Sequence, residues 1–290
     1  MRLRFIVLLL IPFSAGQLFA QSGKEWKNCL FKSDTLNTAV SYNIYLPPHY
    51  DSTKSYPVIY NLHWFGGNNN TSSELIHLID SLISAKEFPA CIVVAPDAKR
   101  SWYIDDYAGK YKYSSMFIYE LLPYLEKRYS ISKDRTKRAI MGASMGGFGA
   151  LRFSMLYPDL FGICVSFMAG ISTKQQICED PQDAYNYFHH QLYGQNMKPS
   201  ERANPFFIKN NPLYIVQDME PARLRTLKWY IQCCDQDYHS LPNAALHIAM
   251  REKKIPHEFR INKGDHNGDC VNNSMKEALN FIMLTFEGSK

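Results

Sequence analysis

Ile140-Met141-Gly142-Ala143-Ser144-Met145-Gly146-Gly147-Phe148-Gly149-Ala150 carries a Gly-x-Ser-x-Gly pattern between two unlike kinds of sequence. Arg138-Ala139-Ile140-Met141 before it is an apolar run of β character. Phe148-Gly149-Ala150-Leu151-Arg152-Phe153 after it is helix-competent. A strand that turns sharply into a helix strains the residue at the turn. Gly142 and Gly146 remove the side chains that would clash there, which leaves Ser144 with its Oγ exposed at the top of a sheet. The five-residue pattern alone is weak, because an ordinary turn can carry it. The strand-then-helix setting is what makes Ser144 a candidate nucleophile.

Outward from this motif the chain alternates strands and helices. Trp26 to Phe31 and Ala39 to Leu46 read as two strands. The second alternates through Val40, Tyr42, Ile44 and Leu46, and the short gap predicts an antiparallel hairpin. Pro57 to His63 and Cys91 to Pro96 follow as more continuous apolar strands, as expected where both faces are covered. The strand before Ser144 is the fifth and Ile163 to Met168 the sixth. Lys228 to Cys234 is the seventh and His257 to Ile261 the eighth. Helices are predicted over Ser73 to about Lys86 and Ser115 to Tyr129, with a kink at Pro123. Three more follow, from Ser144 to near Pro158, from Leu241 to Lys253 and from Asn273 to Phe286. The reading is an α/β fold with a mostly parallel eight-stranded sheet covered by helices on both faces. Residues 171–224 break the rhythm. They are polar and aromatic and hold His189-His190, Asn204-Pro205, Asn211-Pro212 and Glu220-Pro221, which reads as an insertion or cap on one domain spanning 21–290.

Composition bounds the function. The chain has 290 residues, 46% hydrophobic and 20% charged, which is ordinary for a globular protein. Arg2 and Arg4, the apolar run Phe5 to Ile11 and small residues up to Ala20 predict a signal peptide over 1–20, and so a secreted or periplasmic protein. The apolar run is too short for a stable membrane anchor. Net charge is +5 with no Lys/Arg run, so nucleic acid is not an expected partner. Seven cysteines (29, 91, 164, 178, 233, 234, 270) leave at least one unpaired and fix no connectivity. Cys91 and Cys164 lie in strand-like runs and read as buried thiols. Cys233-Cys234 and His189-His190 lack the spacing of a metal site.

In parallel sheets reactive groups gather at the carboxyl ends of the strands. A serine hydroxyl needs a base within hydrogen-bond reach, and the base needs an oriented partner. The seventh strand runs into Asp235-Gln236-Asp237. Asp237 is the favoured acid because it lies far enough into the loop to turn back, and Asp235 is the rival. The eighth strand runs into Asn262-Lys263-Gly264-Asp265-His266-Asn267-Gly268, which makes His266 the base. The resulting order, Ser144, Asp237, His266, is that of α/β-hydrolases. Two backbone N–H groups are needed for an oxyanion. Met145, at the helix start, supplies one. The His63-Trp64-Phe65-Gly66-Gly67 loop supplies the other, from Phe65 or alternatively Trp64. Trp64, Trp102 and Tyr103 are substrate-contact candidates, with Tyr185, Tyr187 and Phe188 of the insertion as further aromatics near an acyl pocket.

Together these residues resemble the esterase D-like branch of the α/β-hydrolase family. That branch includes feruloyl and acetyl-xylan esterases, S-formylglutathione hydrolase and the mycolyltransferases. The resemblance extends from Tyr45-Leu46-Pro47 to the last helix and is most specific at Gly142-Ala143-Ser144-Met145-Gly146-Gly147. Ser101-Trp102-Tyr103 and Glu120-Leu121-Leu122-Pro123 also fit. It implies the α/β-hydrolase fold, a Ser144–Asp237–His266 triad and an oxyanion hole from Phe65 and Met145. It further implies hydrolysis of acetyl or feruloyl esters of polysaccharides, or of related small esters, with neither metal nor organic cofactor. An acyltransferase or peptidase on the same triad, and a non-catalytic binding protein, are the alternatives. The chain departs from the family at three places. Trp64 stands where Gly usually follows the loop His, Ser114 stands about where Glu is frequent, and Cys234 replaces the Gly before the acid loop.

Overall fold

Alternation in the first two strands is realised as a hairpin, with β1 (Lys24–Ser33) antiparallel to β2 (Thr38–Leu46). The computed structural model describes residues 22–288, and the expected leader at 1–20 lies outside them. The remaining strands are β3 (Val58–Leu62), β4 (Ile92–Pro96), β5 (Arg138–Ala143), β6 (Ile163–Phe167), β7 (Lys228–Cys234) and β8 (Glu258–Asn262). All eight form one sheet in the order β1-β2-β4-β3-β5-β6-β7-β8. Strands β3 to β8 run parallel to one another, and β2 meets β4 antiparallel. This is the mostly parallel sheet of an α/β-hydrolase fold.

The apolar content of each strand follows its place. Strands β4 and β6 are buried along their whole length, whereas β8, at the edge, is only half-buried. Two apolar clusters cover the two faces. The larger gathers Phe117, Phe148, Phe153, Leu246 and Trp229. The smaller packs Leu75, Ile76 and Ile79 of the helix Ser73–Ser84, with Ala278, Leu279 and Ile282 of the helix Gly268–Phe286, against Ile59, Met141 and Val165. Fully burying one such side chain contributes about 1.5–3 kcal/mol.

Strand order reverses between β3 and β5, since β4 lies on one side of β3 and β6 on the far side of β5. A crevice opens at the carboxyl ends of strands at such a switch point. The loop after β3 and the turn after β5 therefore face each other, with Leu62 in register with Gly142.

Three elements differ in detail from the sequence expectation. The helix leading to Pro123 is relieved by a π turn at Phe117–Leu121 between Tyr113–Met116 and Leu122–Arg128. Proline lacks an N–H and crowds the carbonyl four residues back, and the wider turn accommodates both. The closing helix begins at Gly268 rather than Asn273, because the Asn267 side chain accepts the Cys270 N–H and caps it. The stretch between β6 and β7 is a set of short helices. Pro205, Pro212 and Pro221 each open one, with Asn204 and Asn211 as side-chain caps. Arg202 is fully buried there, donating to Asp180 O and Gln182 Oε1 at 2.6 and 2.7 Å and lying over the Tyr185 ring.

Candidate active site

Ser144 has φ 56° and ψ −117°, a conformation strained for any residue but glycine. Surrounding hydrogen bonds hold it there. Its N–H donates to Phe167 O, and its carbonyl accepts from Phe148 N and Gly170 N, each at 2.9 Å. The two motif glycines are needed for contact with β3. A Cβ on Gly142 would lie 2.6 Å, and one on Gly146 2.0 Å, from the carbonyl oxygen of Leu62. The turn is thus pressed against the end of β3.

Ser144 Oγ lies 2.9 Å from His266 Nε2, and His266 Nδ1 lies 2.8 Å from Asp237 Oδ2. An ionised carboxylate only accepts, so Nδ1 carries the proton and Nε2 offers its lone pair to the serine hydroxyl. Asp237 also accepts the His239 N–H at 2.7 Å. Burial raises the pKa of its carboxyl, but the hydrogen bonds from His266 and His239 outweigh this and hold it below the ordinary carboxylate value. Asp235, the rival acid, turns away. It accepts the Gly264 N–H at 2.9 Å and so ties the acid loop to the histidine loop.

Two supports were not legible in the sequence. His239 packs edge-on against His266 with ring centroids 5.3 Å apart, and its Nδ1 bonds Ile171 O at 2.7 Å. Burial lowers its pKa to about 4, so it is neutral at pH 7. Cys234 and Cys270 form a disulfide, while Cys29, Cys91, Cys164, Cys178 and Cys233 are free. Cys91 and Cys164 are buried, as expected. No sequence spacing singles out this pair from seven cysteines.

The loop after β3 is organised by His63. Its Nε2 accepts the Ala98 N–H at 2.8 Å, so Nδ1 is protonated and donates to Trp64 O, also at 2.8 Å. Gly67 N donates to the same carbonyl at 3.0 Å, and Tyr103 Oη donates to His63 O at 2.9 Å. In a planar trans peptide the Phe65 N–H points opposite to the Trp64 carbonyl, so these bonds fix its direction. Met145 is the first residue of the helix Met145–Leu156, so its N–H has no acceptor within that helix.

Ser144 and His266 open onto a cavity of about 540 Å³. Trp64, Phe65 and Phe188 stand around it, with Trp64 49% exposed. Trp102 and Tyr103 do not line it. Both are buried behind the loop with positive φ; Trp102 Nε1 donates to Phe188 O, and Tyr103 holds His63. Aromatic identity did not reveal which side of the loop they occupy. Tyr185 is likewise buried, whereas Tyr187 packs on Phe65 and beneath Arg100. At Ser114, the Oγ accepts from Arg152 Nη1 at 3.0 Å. Asn210 Oδ1 accepts from the same guanidinium, so neutral groups hold this buried cation. Among the described residues no helix is long and apolar enough to cross a membrane.

Known proteins resemble this chain in sequence and in fold. The family described as "Putative esterase" matches residues 33–278. An esterase of Mycobacterium tuberculosis is 29% identical over 149 residues, covering 50% of this chain and 32% of that protein. An endo-1,4-beta-xylanase/feruloyl esterase of Xylanibacter ruminicola is 26% identical over 163 residues, covering 52% of this chain and 22% of the other. The chain thus spans a third or less of the length of these curated relatives. A solved ferulic acid esterase superposes with TM-score 0.76 at 27% identity, over 91% of this chain and 99% of its own. With the family pattern matched over most of its length and the sheet and turn of an α/β-hydrolase, the chain belongs to this esterase family.

Proposed function

We propose that the protein is an exported serine carboxylic-ester hydrolase that works through an acyl-enzyme on Ser144. The observation that carries this reading is the unbroken line Ser144 Oγ, His266, Asp237, with contacts of 2.9 and 2.8 Å. His266 Nε2 takes the Ser144 proton as Oγ attacks the ester carbonyl carbon. The oxyanion is held by the amides of Met145 and Phe65, the first favoured also by the positive end of its helix. Collapse breaks the bond to the alcohol oxygen, which leaves with the proton from His266. Water then repeats the cycle, giving its proton to His266 and its oxygen to the acyl carbon. Asp237 stays ionised throughout and steadies the imidazolium.

For substrate we propose acyl esters on polysaccharides, with acetyl and feruloyl groups as the starting classes. The name of the Xylanibacter ruminicola relative and the exposed Trp64 beside the cavity support this. Export is supported by the basic-then-apolar start at 1–20 and by a disulfide, which persists in oxidising compartments. A fluorophosphonate probe should label the wild type and not Ser144→Ala, and p-nitrophenyl acetate hydrolysis should vanish in that variant. Unchanged turnover in folded Ser144→Ala would sink the reading.

A further inference from the structure

The cavity beside Ser144 is far larger than an acetyl group requires. Its volume, about 540 Å³, lies in the range of sites that enclose a whole organic ligand. Its composition is uneven. Part of the lining is Leu75 and Leu78 from one helix, and Val271 and Met275 from the closing helix. Met141 of β5 and Phe167 of β6 add to it from the sheet. Glu74 and Asn272 belong to the lining but are exposed, which places them at its rim. Asn61, half-buried in β3, donates one amide N–H to Ser72 Oγ at 2.8 Å and is a polar member of the lining.

We infer that this space between the two helices is the acyl site, and that it selects an extended aliphatic acyl chain over acetyl. The inference rests on the Ser144 reading above and departs from its starting acyl classes, setting acetyl and feruloyl aside. An acyl carbonyl at Ser144 can direct its chain into the gap between Leu75 and Leu78 on one side and Val271 and Met275 on the other. These walls are aliphatic or thioether, the latter able to adjust its shape. A feruloyl group would bring a phenol hydroxyl that needs a buried partner, whereas a methylene chain needs none.

The test is a chain-length series of p-nitrophenyl acetate, butyrate and octanoate, with methyl ferulate alongside. In the wild type kcat/KM should rise by up to about fourfold for each added methylene until the gap is filled, the factor expected for burying one CH₂. Leu78→Trp, which fills the gap, should lower the octanoate-to-acetate ratio at least tenfold. Because the ratio is read, a general loss of folded enzyme cancels, and Val271→Phe provides a second obstruction from the opposite wall. A wild type that prefers acetate, or prefers methyl ferulate to octanoate, overturns the inference. So does a ratio that neither substitution changes. Failure of the catalytic reading looks different: hydrolysis of all esters would then survive Ser144→Ala, or be absent from the wild type.

Discussion

Cys234 is bonded to Cys270, and the bond ties the end of β7, just ahead of Asp237, to the first turn of the helix just after His266. The two residues are 36 apart in sequence. A cross-link of this span stabilises chiefly by restricting the unfolded chain, by about 4 kcal/mol. Cys270→Ala, or reduction of the wild type, should lower the unfolding free energy by about that amount in denaturant titration. Equal stability of the oxidised and reduced protein would show that the bond carries no such constraint.

His239 makes acid stability predictable in sign. Burial depresses its folded-state pKa to about 4, below the ordinary histidine value. Between about pH 6.5 and 4 the unfolded chain therefore binds more protons than the folded one, so stability falls as pH falls through that window. The loss reaches up to about 3 kcal/mol at its lower end. Asp237 adds to the same trend further down. Its carboxyl lies below the ordinary value when folded, so its contribution is present above the unfolded pKa and is lost as pH drops toward the folded one. Denaturant titrations at pH 7 and pH 5 should show the wild type losing more stability on acidification than His239→Asn. Parallel losses would contradict the assignment.

The aim of the Phe65 amide depends on His63. His63→Phe removes the donor to Trp64 O and leaves the Ala98 N–H without its acceptor. A misdirected oxyanion donor should lower kcat by about a hundredfold, with a smaller change in KM. Steady-state kinetics with circular dichroism on the same preparation separates this from unfolding. A KM-only effect would mean that the loop binds substrate without steadying the oxyanion.

Gly146 tests the turn itself. Its added Cβ would meet the Leu62 carbonyl at 2.0 Å, a backbone atom with no room to retreat. Gly146→Ala should cost about 3 kcal/mol and lower the melting temperature. Gly66→Ala, which has open space but φ +81°, should cost about 1 kcal/mol. Equal melting temperatures for the two variants would refute the packing account.

The parts legible in sequence are those whose requirement is local. Gly142, Ser144 and Gly146 announce a strand-to-helix turn because an apolar β-type run precedes them and a helix-competent run follows. The strand ends then select Asp237 and His266 by their place in the chain. Asp235 and Asp237 share one loop, and only the placement of His266 and the His239 N–H separates them. The role of His63 depends on Ala98, 35 residues away, which no local pattern encodes. Trp102 and Tyr103 look like pocket aromatics in sequence, but hydrophobicity drives such rings into a core as readily as into a cleft. The partner of Ser114 was not legible either, because its hydroxyl accepts from Arg152, which Asn210, 58 residues further on, also holds.

Ser144 and His266 stand 122 residues apart, and the turn that strains Ser144 is held by β3, β5, β6, the Gly170 N–H after β6 and the helix that follows β5. During synthesis the serine emerges long before any base can reach it. Asp237 follows, then His266, and Cys270 last, so the partners of Ser144 are among the last parts of the sheet's carboxyl edge to be made.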